Sequence, residues 1–267
     1  MKEEIDMKRT LIVASFGTSY PETAEKNIVT VEKCLADSFP EHDFFRAYTS
    51  GMIRRKLLKR DNLDIDSVES VLEKIKAAGY TDLLLQPTHI IPGTEFHDVK
   101  KILEEQRPQF SSIKLGDALL ASEKDFQPFV DALKEKLLPL HGETKAIVLM
   151  GHGSRNQTAD QIYEDLEKVF HQNGFDHLWI GTVEGGRTLA DLLPRIQEKE
   201  IKEITLLPLM LVAGDHAQND MAGEEEDSWA SQLRHAGYQV ESLLEGLGEI
   251  PAIREMYLEH AKNAKEI

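Results

Sequence analysis

The stretch Leu11-Ile-Val-Ala-Ser-Phe-Gly-Thr-Ser19 returns in altered form as Ile147-Val-Leu-Met-Gly-His-Gly-Ser-Arg155, and this internal repeat decides the fold. Gly17 aligns with Gly153, so that Phe16 corresponds to His152. Each copy is a short apolar run that ends in a glycine-containing turn, a pattern typical of a buried strand followed by a loop. A repeat of this kind predicts two similar halves.

Two further pairs of segments repeat in the same order. Leu83-Leu-Leu-Gln-Pro-Thr-His-Ile-Ile-Pro-Gly-Thr-Glu95 aligns with Ile204-Thr-Leu-Leu-Pro-Leu-Met-Leu-Val-Ala-Gly-Asp-His216, so that Glu95 corresponds to His216. A weaker match sets Tyr48-Thr-Ser-Gly51 on Thr182-Val-Glu-Gly185, so that Ser50 corresponds to Glu184. The offsets of the two stronger matches are 136 (153 − 17) and 121 (208 − 87), which places about fifteen extra residues in the N-terminal half, around 46–66.

Short apolar runs alternate with segments of helical spacing, and this alternation predicts an α/β fold with parallel sheets. The predicted strands lie at 11–15, 44–48, 83–86, 113–120, 146–150, 178–183, 204–209 and 240–244. The predicted helices lie at 23–39, 66–78, 125–138, 158–172, 189–199, 228–236 and 251–265. We place the domains at residues 1–143 and 144–267, and the final helix could pack on either half.

The composition argues against several classes of function. Thirty-one Lys and Arg against 47 Asp and Glu give a formal net charge of −16, whereas a nucleic-acid partner would require a basic surface. The charged N-terminal residues are followed by only a short apolar run, which predicts a cytoplasmic protein without a membrane span. The single cysteine, Cys34, excludes an internal disulfide framework.

One local basic run interrupts this acidic background. Arg54-Arg-Lys-Leu-Leu-Lys-Arg60 contains five basic residues in seven. The run is typical of a solvated helix face, and it would equally suit a rim that binds anions. The sequence leaves both interpretations open.

The repeats place reactive side chains at predicted strand ends, where open α/β sheets bind ligands. His152 lies between two glycines, which allow the backbone and the imidazole to approach a ligand closely. His216 is followed one helical turn later by Asp220, a carboxylate that could orient a metal-binding imidazole. Two imidazoles with a carboxylate such as Glu184 or Glu95 suit Co²⁺, Fe²⁺, Ni²⁺ or Zn²⁺.

Each of these residues also has an ordinary structural interpretation. A strand-end histidine is often a packed or hydrogen-bonded residue, and a single glutamate is often a surface residue. Two other enzyme chemistries fit poorly. The Arg-His-Gly motif of histidine phosphatases is absent because Gly151 precedes His152, and Ser154 lacks the Gly-x-Ser-x-Gly elbow because Asn156 occupies the position of the second glycine.

Four segments carry a resemblance to a known family. They are Ser15-Phe-Gly-Thr-Ser19, Thr49-Ser-Gly-Met-Ile-Arg-Arg-Lys-Leu57, Met150-Gly-His-Gly153 and Leu206-Leu-Pro-Leu-Met-Leu-Val-Ala-Gly-Asp-His-Ala-Gln-Asn-Asp-Met221. These segments resemble the anaerobic class II cobaltochelatases, which insert Co²⁺ into the tetrapyrrole sirohydrochlorin on the route to cobalamin. The likeness runs nearly end to end, and its last motif, which continues to Asp227-Ser-Trp229, is long and specific.

The resemblance implies two flavodoxin-like domains that face each other across a cleft, with the tetrapyrrole between them. It also implies a metal site formed by His152, Glu184 and His216, and a role in activity for the cleft carboxylate Glu95. The N-terminal half would then hold the macrocycle, and the expected substrate-binding residues are Phe16, Gly17, Thr18, Ser50, Met52, Arg54 and His89. The peripheral carboxylates of the ring would need basic partners, and the candidates are Arg46, Arg54, Arg55 and Lys56.

Metal insertion requires that the ion shed water, that two pyrrole protons leave and that the ion move to the ring nitrogens. A metal-bound imidazole cannot also act as a free base, so either His152 changes roles during the cycle or Glu95 accepts the protons. We favour Glu95, with His89 as its candidate partner. The expected partners are Co²⁺ and sirohydrochlorin, no organic cofactor is needed, and a homo-oligomer is compatible with the sequence.

Three alternatives to cobalt insertion follow from the same residues. The first is the insertion of iron or nickel into the same ring, since the donor set does not separate these ions. The second is a carrier that binds metal or tetrapyrrole without catalysis, although a retained Glu95 argues against it. The third is a metal-dependent hydrolase, for which the sequence shows no accompanying motif.

Overall fold

The computed structural model describes residues 8–154 and 157–267, and it contains an α/β fold built on parallel strands. The strands are β1 Arg9–Ser15, β2 His42–Tyr48, β3 Asp82–Pro87, β4 Ser112–Leu115, β5 Lys145–Gly151, β6 Leu178–Thr182, β7 Glu203–Leu209, β8 Gln239–Ser242 and β9 Lys265–Glu266. All eight predicted strands are confirmed. The run at 113–120 is shorter than predicted because the chain leaves the sheet at Gly116, where the Gln86 side chain bonds to the carbonyl of Asp117.

The strands form two sheets with the same topology. The first has the order β2-β1-β3-β4-β9 and the second has the order β6-β5-β7-β8. Every pairing is parallel except that of β9, a two-residue strand absent from the sequence prediction, which runs antiparallel to β4. In each sheet the first strand of its half is therefore central, and its carboxyl end lies between two neighbours.

The helices flank these strands. They are α1 Pro21–Thr23, α2 Thr30–Ser38, α3 Gly51–Asp61, α4 Val68–Ala77, α5 Thr94–Gln106, α6 Phe126–Leu137, α7 Gln157–Gln172, α8 Leu189–Gln197, α9 Trp229–His235 and α10 Pro251–Lys262. Two π turns, Ala24–Val29 and Ala217–Met221, lie between α1 and α2 and before α9. Among the described residues there are also four short 3-10 turns: Arg107–Gln109, Glu123–Asp125, Leu138–Leu140 and Leu247–Glu249.

The predicted helices are confirmed, and two further helices were not predicted. Helix α3 occupies the segment in which the repeat offsets placed extra residues: β2 and β3 are joined through α3 and α4, whereas β6 and β7 are joined through α8 alone. Helix α5 follows a Pro-Gly pair. Its charged residues outnumber its apolar ones, so the helical spacing of the apolar residues was not recognised in the sequence. Across the described ranges 8–154 and 157–267, no helix combines the length and the apolar composition that crossing a membrane requires.

The chain divides into two compact units at a position that differs from the predicted boundary. The first unit reaches to Leu119 and takes in Arg254–Ile267, and the second spans Leu120–Ile253. Helix α6 therefore belongs with the second sheet, because Phe129 packs edge-to-face on Phe170 of α7 with ring centroids 6.3 Å apart. Most of the final helix belongs to the first unit, where Tyr257 donates a hydrogen bond to the carbonyl of Thr88 at 2.8 Å.

The internal repeat is reproduced in the pairing of the strands. Ala14 pairs with Pro87 in the first sheet and Met150 pairs with Pro208 in the second, as both repeat alignments require. Both sheets are covered on their faces by apolar side chains. The core of the first unit includes Ile12, Leu83 and Val99, and that of the second includes Val148, Leu206 and Trp229.

Gly17 allows a close approach that no other residue would permit. Its φ is +96°, and a Cβ at this position would lie 2.5 Å from the ring of Tyr48. Gly79 has a similar φ of +80° with no atom within 4 Å of such a Cβ. A substitution at Gly79 would therefore cause backbone strain alone, whereas one at Gly17 would cause backbone strain and overpacking.

We expect Gly79→Ala to lower the free energy of unfolding by about 1–2 kcal/mol through the positive φ alone. Gly17→Ala should carry the same strain together with about 1–3 kcal/mol of overpacking against Tyr48. Urea unfolding of both variants measures the difference. Equal losses of unfolding free energy in the two variants would show that a Cβ at position 17 does not clash with the ring of Tyr48.

Candidate metal centre

Three adjacent strands of the second unit each present one of the predicted metal ligands. His152 directly follows the central strand β5, Glu184 lies two residues beyond β6, and His216 immediately precedes the π turn Ala217–Met221 that follows β7. Because these strands are parallel neighbours, their carboxyl ends meet at one edge of the sheet.

The two histidines are close enough to share one ion. Their ring centroids are 5.0 Å apart and the rings are inclined by 80°. An ion ~2.1 Å from an imidazole nitrogen lies ~3.2 Å from the ring centroid, so two imidazoles on one ion have centroids ~4.5–5.2 Å apart for bond angles between ~90° and the tetrahedral value. The observed separation lies within that range.

Asp220 fixes the orientation of His216. Its Oδ2 lies 2.5 Å from Nδ1 of His216, so that the Nδ1–H group donates a hydrogen bond to the carboxylate. The lone pair of this imidazole is then on Nε2, the nitrogen available to an ion. A carboxylate behind a metal-binding histidine both orients the ring and increases its basicity as a ligand.

Glu184 is joined to His152 through the backbone. The N–H of Glu184 donates to the carbonyl of His152 at 2.8 Å, and the Glu184 side chain is exposed. Gly153 makes this approach possible, because its φ is +83° and a Cβ there would lie 1.6 Å from the carbonyl oxygen of Glu184. Within residues 8–154 and 157–267, no group of three or more His, Cys, Asp or Glu is arranged to hold a metal ion. The coordination of metal by Glu184 therefore remains a prediction.

The candidate residues for the macrocycle cluster at the corresponding strand ends of the first unit. The N–H of Ser50 donates to the carbonyl of Phe16 at 3.2 Å, which repeats the bond between Glu184 and His152. Phe16 is half-buried, whereas Gly17 and Thr18 are buried, and the Thr18 hydroxyl accepts a hydrogen bond from the N–H of Tyr20. This contact gives Thr18 a structural role in the turn.

The N-terminus of α3 combines three other candidates. The Ser50 hydroxyl caps the helix by accepting from the N–H of Ile53 at 3.3 Å. Met52 is 63% exposed on its first turn. Arg54 Nε is buried and, among the described residues, has no hydrogen-bond partner. An unpaired guanidinium nitrogen beside a helix N-terminus is suited to an anionic group.

His89 and Glu95 lie close together in the first unit. Nε2 of His89 is 3.6 Å from a carboxylate oxygen of Glu95, which lies in the first turn of α5. The His89 side chain is 9% exposed, and neither of its ring nitrogens has a hydrogen-bond partner in the part of the chain that the structure describes. Buried imidazole nitrogens without partners carry an energetic cost, which favours a functional role for this pair.

The basic run and its neighbour Arg46 divide into paired and unpaired residues. Arg46 forms an ion pair with the buried Glu32, and its role in attracting the ring stays a prediction. Burial raises the pKa of Glu32, and Arg46 offsets part of that rise. Arg60 is paired with Asp61, and Lys56 lies over the ring of Tyr20. Arg54 has Asp66 as an electrostatic neighbour, and it and Arg55 remain the candidates for binding an anion.

Sequence reasoning did not identify two residues that contact the loops of the candidate centre. Asp160 and Tyr163, both on α7, touch the backbone of the glycines that neighbour Glu184 and His152. Their spacing on a helix that follows the His152 loop could have indicated this contact, but the same spacing is typical of any core-facing helix.

Comparison with known proteins relates the chain to metal chelatases. The sequence model of a family described as cobalt chelatase (CbiK) matches residues 9–266. A sirohydrochlorin cobaltochelatase of Salmonella typhimurium is 42% identical over 97% of both chains. The sirohydrochlorin cobaltochelatase CbiKC of Nitratidesulfovibrio vulgaris is 32% identical over 95% of this chain and 89% of its own.

Solved structures support the fold at lower sequence identity. SirB from Bacillus subtilis with Fe³⁺ superposes with a TM-score of 0.63 at 12% identity, covering 96% of this chain and 95% of its own. The terminal enzyme of siroheme biosynthesis in denitrifying bacteria, CbiX, superposes with a TM-score of 0.54 at 16% identity, covering 97% and 100%. The predicted fold of two chelatase-like domains is confirmed.

The contact between His216 and Asp220 predicts the effect of removing the carboxylate. We expect Asp220→Ala to weaken Co²⁺ affinity about tenfold or more, because the tautomer and the orientation of His216 are no longer fixed. Asp220→Asn should lose less affinity, since its amide oxygen can still accept from Nδ1. Anaerobic cobalt titration measures both. Glu225→Gln removes one exposed charge from the same segment as a control, and equal affinities for Asp220→Ala and this control would contradict the assignment.

Proposed function

The chain belongs to the cobalt chelatase (CbiK) family, and on this premise we propose that it inserts Co²⁺ into sirohydrochlorin. The protein is a metal chelatase, and cobalt is its substrate metal. The observation that carries the proposal is the pair His152 and His216, whose rings lie 5.0 Å apart at the carboxyl edge of a sheet in a chain that is 42% identical to a sirohydrochlorin cobaltochelatase.

The second unit would hold the ion. His152 and His216 supply two imidazole donors, and Glu184 would supply a carboxylate from the loop bonded to His152. Imidazole and carboxylate donors also suit Fe²⁺ and Ni²⁺, so the choice of cobalt rests on the family rather than on the donor set. Only two or three protein ligands would leave positions open for water and for the incoming ring nitrogens.

The first unit would remove the pyrrole protons. The Glu95 side chain is 44% exposed, and Nε2 of His89 lies 3.6 Å from its carboxylate; neither ring nitrogen of His89 has a hydrogen-bond partner among the described residues. We propose that Glu95 accepts a proton from the ring and that His89 relays it. This division of roles leaves His152 and His216 free to remain metal ligands throughout the cycle.

The N-terminus of α3 would bind a peripheral carboxylate of the ring. The dipole of this helix favours negative charge at its N-terminus, and Arg54 offers a buried nitrogen that lacks a partner within the described residues. The exposed Met52 would contact the apolar part of the macrocycle. This local positive site would attract an anionic substrate to a protein whose net charge is −16.

The proposal separates metal binding from proton transfer. His152→Ala and His216→Ala should each reduce turnover at least tenfold, which corresponds to ~1.4 kcal/mol of transition-state stabilisation. Both variants should also weaken cobalt binding in the absence of the ring. Glu95→Gln should lose turnover and keep cobalt affinity, with Glu105→Gln, an exposed residue of the same helix, as control. The proposed site would be refuted if both histidine variants retained more than a tenth of wild-type turnover.

Charge neutralisation at α3 tests where the ring binds. Arg54→Gln with Arg55→Gln should raise the KM for sirohydrochlorin more than the KM for cobalt, and added salt should reduce the effect because exposed charges are screened. Lys33→Gln with Lys101→Gln removes the same charge from two exposed lysines of the same unit, outside the basic run, as a control. A loss of cobalt affinity, or wild-type ring kinetics at low salt, would show that the ring carboxylates bind elsewhere.

A further inference from the structure

Helix α7 presents three side chains to the strand ends of the second unit. Asp160, Tyr163 and Glu167 are spaced by three and four residues, so they share one face of the helix. Each contacts a strand or loop that leads to a proposed metal ligand. The helix therefore lies behind the metal centre without supplying a ligand to it.

Tyr163 supports the loop of His152. Its side chain is fully buried, and a Cβ on Gly151 would lie 2.9 Å from its ring. The N–H of Gly153 donates a hydrogen bond to its phenol oxygen, and burial raises the pKa of the phenol well above its usual value. The tyrosine thus contacts both glycines that flank His152.

Glu167 secures the base of the Glu184 loop. Its Oε2 accepts hydrogen bonds from the N–H of Ile180 at 2.8 Å and from Arg187 at 2.7 Å. The carbonyl of Arg187 in turn accepts from the N–H of Thr182 at 2.7 Å, which closes the loop between these two residues. The two ends of the loop are held together by this buried ion pair.

Asp160 contacts the same loop beside Glu184. Its Oδ2 accepts a hydrogen bond from the N–H of Gly186 at 3.0 Å. A Cβ on Gly185 or on Gly186 would lie 2.9 or 2.7 Å from the carboxylate oxygens, so the approach requires glycine at both positions. Its Oδ1 is buried and has no hydrogen-bond partner among the described residues. A buried carboxylate oxygen without a partner is destabilising, so the fold alone does not explain this residue.

We propose that Asp160 is a positioning residue for metal binding. It holds the loop of residues 183–186 in the conformation that presents Glu184 to the ion, while the backbone bond from Glu184 to His152 carries the same constraint to the first imidazole. The inference rests on the proposed function, because it assumes that His152 and Glu184 bind cobalt. Preorganised ligands bind an ion more tightly because less conformational freedom is lost on binding.

The test compares variants at both ends of the contact by anaerobic cobalt titration without the ring. Asp160→Ala should weaken cobalt affinity about tenfold. Asp160→Asn should restore most of it, because its amide oxygen can accept from the N–H of Gly186. Gly186→Ala should weaken affinity as well, since its Cβ displaces the carboxylate, and it tests the same contact if Asp160→Ala does not fold. Asp165→Ala, at a half-buried site on the same helix, is the control and should bind cobalt like the wild type.

A double-mutant cycle separates positioning from other effects. Adding Gly186→Ala to Asp160→Ala should change cobalt affinity by less than about twofold, because the contact is already lost. The KM for sirohydrochlorin should stay at the wild-type value in each variant. Additive losses, or an Asp160→Asn variant as weak as Asp160→Ala, would overturn the inference.

Parallel titrations of His152→Ala and Glu184→Gln separate the proposed metal site from the proposed role of Asp160. Wild-type cobalt affinity in both would refute the proposed metal site itself. Weak binding in both, together with an Asp160→Ala variant that binds like Asp165→Ala, would leave the site in place and refute only the positioning role.

Discussion

The candidate centre depends on one backbone contact, the hydrogen bond from the N–H of Glu184 to the carbonyl of His152 at 2.8 Å. It joins the loops that follow the neighbouring strands β5 and β6. The backbone at position 153 must then lie so close to the carbonyl of Glu184 that no side chain would fit between them. Gly153 meets that requirement through its positive φ and its lack of a Cβ. His152 and Glu184 are therefore held at a fixed separation by the backbone, while His216 is oriented independently by Asp220.

The same contact occurs in the first unit with different side chains. There the N–H of Ser50 donates a hydrogen bond to the carbonyl of Phe16 at 3.2 Å, beside Gly17.

The ion pairs of the buried glutamates are also equivalent in the two units, Glu32 with Arg46 and Glu167 with Arg187. The repeat alignment would set Glu167 on position 31 (167 − 136), and the π turn Ala24–Val29 accounts for the one-residue difference, since such turns insert a single residue into a helix. The backbone framework thus persists in both units, and His152 and His216 occupy in the second unit the repeat positions that Phe16 and Glu95 occupy in the first.

The fold was largely predictable because apolar runs and glycines report on local structure. The duplicated runs at Leu11 and Ile147 identified the central strands, and the unequal offsets located the extra helix α3. The division between the units was not predictable, because the membership of α6 depends on a contact between Phe129 and Phe170, residues distant in sequence. At the site, the glycine motifs indicated His152 and His216, whereas Asp160 sits on a helix whose spacing resembles that of any core helix. Its role depends on a hydrogen bond to Gly186, which only the folded chain reveals.

We propose that imidazoles of the second unit hold cobalt before the tetrapyrrole receives it. X-ray absorption at the cobalt edge of the protein loaded with one equivalent of Co²⁺, without the ring, tests this claim directly. We expect the multiple-scattering signal of two imidazoles, with oxygen donors completing the shell, and the loss of one imidazole in His216→Ala. A first shell of oxygen donors alone, unchanged in that variant, would contradict it.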